Sequence, residues 1–365
     1  PTFRVVLILG AAGLSPVGLV NTAGSEYWGF VFARTLFYVI EALSLVLLVG
    51  WAGQVSLMHG AYVGIGSFTT GYLVVDKGWG LGPAILVAAL VGMAMGAAAG
   101  IPALRLSGLQ FAIASLAFSA AASSFLFRRE ELRFSRYLDR QDLFGIDLFN
   151  SYSLFLVMLP VTGLCYFAVW RVKRSSFGSL LLASRDAPAT VSHFGADPKK
   201  TRMWAFLLAS FIASLGGAFY GVLLTAFRPE DFAFQLSIVL LLYAVIGGID
   251  SLAGPLVAGL AFGVLPELVA GEASTKASAW PDIIAGLVVI GLMAWRPGGL
   301  GALLRRSTRA VAAGPAVVST RFGRWRPVVA AHNGNGNGAV VPADAEVRNG
   351  SEVGPARAVE GAGRP

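Results

Sequence analysis

The chain has 365 residues and a mass of 38.2 kDa; apolar residues make up 56% of it and charged residues only 13%, about half the roughly 25% of a soluble domain. So few charges cannot cover a globule of this size with polar groups, so much of its surface must face a bilayer. One cysteine, Cys165, excludes a disulfide scaffold, and a soluble nucleic-acid binder is excluded despite the net charge of +8 and the pI near 9.9.

Crossing about 30 Å of hydrocarbon takes roughly 20 mostly apolar residues in a helix that satisfies its own backbone. Ten windows read as spans: 5–20 (interrupted by Pro16), 29–49, 61–75, 83–101, 109–127, 153–170, 203–227, 236–248, 255–269 and 282–295. The fold class is therefore all-α and polytopic. The first window lacks a small-residue cleavage site and reads as a membrane helix rather than a signal peptide, and a natural start can lie upstream of Pro1.

In the second span Glu41 is the clearest intramembrane charge, costing roughly 2.5–3.5 kcal/mol on insertion scales. It reads either as a cavity-lining or proton-linked group or as a carboxylate hydrogen-bonded to a neighbouring helix. Arg34, two turns earlier, lies near the outer end and can snorkel. The run Gly50-Trp51-Ala52-Gly53-Gln54-Val55-Ser56-Leu57-Met58-His59-Gly60 follows, and its glycines permit turns and close helix contact while Gln54, Ser56 and His59 supply polar groups beside a span. A broken or re-entrant helix facing a cavity fits it, and so does a short turn between packed helices. In the fifth span Ser115, Ser119 and Ser123 form a small polar stripe, explained by helix packing as well as by a pathway.

Basic residues set the orientation. Arg171, Lys173, Arg174, Arg185, Lys199, Lys200 and Arg202 crowd the segment between the sixth and seventh spans, and Arg296, Arg305, Arg306 and Arg309 follow the last one. Both segments read as cytoplasmic. The mixed segment 128–151 reads as external, and ten spans then place both termini inside. Within 171–202, Asp186 and Pro188 look like a helix start and Gly195 a stop, and Asp197-Pro198 opens the next helix. A short helix there reads as a docking element or as an ordinary interfacial helix.

A second Gly-rich block, Gly247-Gly248-Ile249-Asp250-Ser251-Leu252-Ala253-Gly254-Pro255, follows the eighth span. At an offset of 195 positions Gly53, Ser56, Leu57 and Gly64 match Gly248, Ser251, Leu252 and Gly259, a hint of duplication of the kind transporters show. Glu41, Gln54, Ser56, His59 and Ser251 are the candidate translocation-pathway residues. Residues 1–304 read as the transmembrane domain. From 305 to 365 the composition turns to Gly, Pro, Ala and charge, expected to remain a disordered cytoplasmic tail.

Nucleotide and hydrolytic chemistry are missing from the pattern. No glycine is followed by lysine, so no phosphate-cradling G-x-x-x-x-G-K-[ST] loop exists, and His59, His193 and His332 are scattered without metal spacing. The chain reads as a transport subunit rather than an enzyme.

The motifs also stand in a recognisable order. The Gly50–Ala61 run, Pro102-Ala103-Leu104-Arg105-Leu106-Ser107-Gly108-Leu109, Ser176-Phe177-Gly178, Phe194-Gly195-Ala196-Asp197, the Gly247–Pro255 block and Trp295-Arg296-Pro297-Gly298-Gly299-Leu300 together resemble the LivM-type permease of branched-chain amino acid ABC importers. The resemblance is colinear over about 30–303. It implies the ABC importer permease fold, in a bacterial plasma membrane, with no cofactor of its own. It further implies a related permease subunit as heterodimer partner, two cytoplasmic ATPase subunits and an extracytoplasmic solute-binding protein. Residues 184–195 match the family's cytoplasmic coupling loop, which makes Arg185, Asp186, Val191, Phe194 and Gly195 the expected contacts to the ATPase. Two departures stand out: Pro188 occupies a place where the family often has an acid, and the charged 133–142 stretch replaces a Gly-Gly turn. The expected mechanism is alternating access driven by the partner ATPases; the alternative is a proton-coupled secondary transporter using Glu41.

Overall fold

A computed structural model describes residues 24–103, 106, 108–129, 132, 138, 142–143, 148–193, 195–264 and 266–267. All of them lie in the first of the chain's two units, Pro1–Ala312. The spans expected at 5–20 and 282–295, Phe194, and the tail from 305 fall outside the described residues.

The described residues form helices and no strand. We number them α1 Gly24–Leu45, α2 His59–Gly71, α3 Leu81–Ala103, α4 Leu109–Ala121, α5 Ser151–Arg174, α6 Ser176–Asp186, α7 Pro188–His193, α8 Pro198–Leu224, α9 Phe234–Gly247 and α10 Gly254–Gly259. Four of them, α1, α2, α4 and α10, continue into a widened π-type turn, over Val46–Trp51, Tyr72–Asp76, Ala122–Leu126 and Leu260–Val264. Five helices are long and apolar enough to cross a membrane, and 234–247 and 254–264 are shorter apolar helices. The sequence windows beginning at 29, 83, 109, 153 and 203 thus correspond to Glu26–Trp51, Leu81–Ile101, Leu109–Leu126, Ser151–Arg174 and Pro198–Leu224.

Helices α1 and α8 form the centre. The α1 span is 83% buried and the α8 span 67%, whereas α4 is 28% buried and lies at the periphery. What lets three helices close on α8 is side-chain size, because in lipid no hydrophobic force drives apolar helices together and close backbone packing must do it. Gly92, Gly96 and Gly100 on α3 run antiparallel along Ser214, Ser210 and Met203 of α8. On the other side, a Cβ at Gly217 would lie 2.3 Å from the Val63 carbonyl oxygen of α2. Ser67 Oγ donates to Gly217 O at 2.7 Å and Ser214 Oγ to Tyr62 O at 3.1 Å, so α2 and α8 are also tied by hydrogen bonds.

The two ends of the bundle differ. At one end Phe68, Phe127, Phe227 and Phe232 pack as a buried aromatic cluster, with Phe68 and Phe127 stacked at 4.9 Å. The other end carries Arg171, Lys173, Arg174, Arg185, Lys199, Lys200 and Arg202, and both Gly-rich blocks meet there. Lys173 Nζ sits 5.1 Å from the centroid of the buried Trp51 ring, capping the end of α1. In the first half of α1, Arg34 bonds to Glu267 and to Gly263 O, so its partner is a distant carboxylate rather than Glu41.

Candidate functional site

Between Trp51 and α2 the chain runs without helix over residues 53–58. Gly53 turns it in the left-handed region, φ +69°. Where α2 begins can be read from Ser44: its Oγ donates to Ala209 O at 2.8 Å and lies 3.0 Å from His59 Nε2. Ala209 is about 17 Å along α8 from Pro198 at 1.5 Å per residue, so His59 starts α2 well inside the bundle. The block 50–60 therefore holds a non-helical lead that runs from the basic end into the bundle before α2 begins, the broken-helix form of the first reading its sequence allows. Non-helical backbone at that depth must find partners within the protein. Serines supply them: Leu57 N–H donates to Ser115 Oγ (2.8 Å), Met58 N–H to Ser56 Oγ (3.4 Å) and Gly60 N–H to Ser237 Oγ (2.8 Å).

Above this segment stands a buried polar column of Glu41, Ser44 and His59, all 0% exposed. The single hydroxyl proton of Ser44 is spent on Ala209 O, so Ser44 Oγ accepts from His59 Nε2–H. In the neutral ring Nδ1 is then a bare acceptor, and it has no hydrogen-bond partner among the described residues. Glu41 sits against the notch left by Gly216 on α8, where an added Cβ would come within 2.6 Å of its Oε1. Neither of its carboxylate oxygens has a hydrogen-bond partner among the described residues.

The sequence-chosen pathway residues thus divide by depth. Glu41 and Ser44 stand about one turn apart on α1, and Ser44 bonds to His59 at the start of α2. Ser56 is buried and engaged with the backbone, and Gln54 is half-buried near the basic end. Ser251 lies in the second Gly-rich loop, where its Oγ accepts from Ala253 N–H at 3.2 Å. A cavity of about 410 Å³ lies nearer the aromatic end, lined by Ile65, Phe68, Thr69, Tyr72, Met95 and Phe127 among others, and none of the chosen residues lines it. Ser44, Ser214 and Ser237 were missed. Ser44 follows Glu41 by three positions on one helix face, a legible signal, whereas Ser214 and Ser237 find their partners only across the fold.

The segment 171–202 takes in the end of α5, then α6, α7 and the start of α8. Ser175 caps α6 through Gly178 N–H, and Asp197 caps α8 by accepting from Lys199 N–H at 2.9 Å and Lys200 N–H. Helix α7 spans Pro188–His193 as the sequence suggests, and Gly195 follows it at φ +79°. Its side chains divide sharply. Pro188, Ala189, Thr190, Ser192 and His193 are exposed, while Val191 is 5% exposed and faces the chain's own interior. Val191 therefore packs α7 against the rest of the chain. Asp186 closes α6 and is exposed. Arg185 turns inward: its Nη1 donates to Gly50 O and, at 3.0 Å, to Asp250 Oδ1.

Among the described residues the fold is helical, with five helices long and apolar enough to cross a membrane, closed by small-residue contacts around a buried polar column: the class is a multi-pass helical membrane protein. The family model described as "Branched-chain amino acid transport system / permease component" matches residues 28–293, and the chain belongs to that family. The high-affinity branched-chain amino acid transport system permease protein LivM of Escherichia coli (strain K12) is 25% identical over 308 residues, covering 75% of this chain and 71% of that one. LivM of Salmonella typhimurium is 26% identical with the same coverage, and the probable branched-chain amino acid transport permease protein LivH of Methanocaldococcus jannaschii is 28% identical over 130 residues, 35% of this chain and 38% of that one. No solved structure matches.

Proposed function

We propose that the chain is one membrane subunit of an ABC importer in a bacterial plasma membrane, passing branched-chain amino acids or related small solutes inward. Alternating access would be driven by two separate cytoplasmic ATPase subunits. A related permease subunit would complete the membrane core and an extracytoplasmic solute-binding protein would deliver the solute. In this reading the basic end of the bundle and both termini face the cytoplasm. The observation that carries the proposal is α7, a short helix fixed from behind by Val191 and offering Pro188, Ala189, Thr190, Ser192 and His193 outward between two longer helices. That is the form of a docking element, with Asp186, Phe194 and Gly195 at its edges.

The test is a photo-crosslinker at Thr190 in native membranes, with purification of whatever is captured. Capture of an ATPase subunit, together with ATP-dependent uptake by the reconstituted complex and no ATP hydrolysis by the chain alone, is the expected result. Capture of lipid alone would overturn the docking role.

The buried carboxylate of Glu41, without a hydrogen-bond partner among the described residues, supports a second reading, a proton-coupled secondary transporter. Uptake by the chain alone in liposomes, driven by a proton gradient and abolished by Glu41→Gln, would establish that reading in place of the first.

A further inference from the structure

The two Gly-rich blocks are alike in structure as well as in sequence. Each contains a left-handed glycine, Gly53 at φ +69° and Gly248 at φ +107°, at the offset of 195 already noted. At that same offset each is followed by a new helix, α2 from His59 and α10 from Gly254, and each of these helices runs on into a π-type turn. The blocks also touch. A Cβ at Gly50 would lie 2.2 Å from the Ile249 carbonyl oxygen, so the end of α1 and the loop after α9 meet backbone to backbone.

One side chain spans both. Arg185 Nη1 donates to Gly50 O, in the π-type turn that follows α1, and to Asp250 Oδ1 in the second loop, while Nε lies 3.6 Å from Asp186 Oδ1. The Arg185 stem runs against Gly53, where a Cβ would fall 2.8 Å from its Cγ. From the other side Arg202 Nη2 donates to Ser184 O at 2.7 Å, pinning the end of α6 to α8. The guanidinium stands three residues before Pro188, the first residue of the outward-facing α7.

Stability is a poor explanation for this arrangement. The Asp250 side chain is 58% exposed and that of Arg185 38%, and ion pairs this wet contribute little. Geometry is the better one: a fork of fixed donors accepts two loops only in one relative position, and the terminal carbonyl at Gly50 has its partner only in that position.

We infer that Arg185 is a positioning residue for transport, a clip through which displacement of α7 moves the non-helical segment after α1 and the matching loop after α9 together. The inference rests on the proposed importer reading, since it takes α7 to be the element that the ATPase moves.

The experiment uses the complete transporter in nanodiscs or proteoliposomes, with both ATPase subunits and the binding protein, and measures solute moved per ATP hydrolysed. Wild type fixes the reference. If wild type transports without ATPase subunits, the importer reading falls and the clip with it. With wild type coupled, Arg185→Ala is expected to retain the ATPase subunits and hydrolyse ATP within about twofold of wild type while the solute-to-ATP ratio drops tenfold or more. Asp250→Asn, which removes the charge from one arm and leaves Gly50 engaged, is expected to lower the ratio by a smaller factor, roughly threefold. Arg185→Lys keeps the charge without the fork and is expected to resemble Arg185→Ala. A purely structural role predicts instead that assembly, hydrolysis and uptake decline in parallel at constant ratio, which overturns the clip. Should Arg185→Ala fail to assemble, Arg185→Lys and Asp250→Asn carry the test, and an unchanged ratio in both overturns it.

Discussion

Replacing Gly217 by alanine tests whether helix separation is set by the small residues on α8. The added methyl would lie 2.3 Å from Val63 O and 2.5 Å from Val63 Cα. Both are backbone atoms, so no side-chain rotation relieves the clash. Ordinary contact at that position begins near 3.4 Å, which requires α2 and α8 to part by about 1 Å. Overpacking of this kind costs about 1–3 kcal/mol. The parting also strains the Ser67–Gly217 and Ser214–Tyr62 hydrogen bonds, each worth about 0.6 kcal/mol in a membrane interior. Against this, alanine gains up to about 1 kcal/mol over glycine in helix propensity. The net expectation is a loss of about 1–3 kcal/mol, or roughly five- to 150-fold in the unfolding equilibrium. The matched control is Gly163→Ala on α5, where nothing lies within 4 Å of the added methyl and only the propensity gain remains. Denaturant titration of the purified chain in mild detergent reads both variants. If Gly217→Ala is as stable as Gly163→Ala, backbone contact through Gly217 does not set the spacing and the packing argument fails.

Three further outcomes follow from the buried polar groups. Ser44→Ala leaves the His59 Nε2–H without its acceptor and should cost about 1–2 kcal/mol, read by the same titration; no change would mean the ring has another partner. Gly216→Ala pushes a methyl against Glu41 Oε1 and Ile40 Cγ2, so combining it with Glu41→Ala should recover at least about 0.5 kcal/mol in a double-mutant cycle, whereas strict additivity would place Glu41 elsewhere. Ser115→Ala removes the acceptor of Leu57 N–H and should speed hydrogen exchange at residues 55–58 while leaving α4 itself protected, and unchanged exchange there would show that the non-helical backbone is held by other means.

Much of this molecule is legible in the order of its residues. Membrane helices announce themselves because a backbone in hydrocarbon must close its own hydrogen bonds and an apolar run of sufficient length is the only local solution. Capping is equally local, so Asp197-Pro198 and Gly195 fixed the start of α8 and the stop of α7 before any tertiary contact was considered. The family could be read as well, because its motifs recur in one colinear order. Partner choice across the fold could not. Arg34 finds Glu267 rather than Glu41, Val191 turns inward from a helix too short to reveal a buried face, and Arg185 joins Gly50 to Asp250 across separations of 135 and 65 residues. The depth at which α2 begins also depended on a contact between Ser44, Ala209 and His59 that no local pattern encodes. Hydropathy and capping act within a turn or two of the chain and so are written in sequence, whereas hydrogen-bond partners in a bilayer are whatever the packed helices bring within 3 Å, and only the assembled bundle decides that.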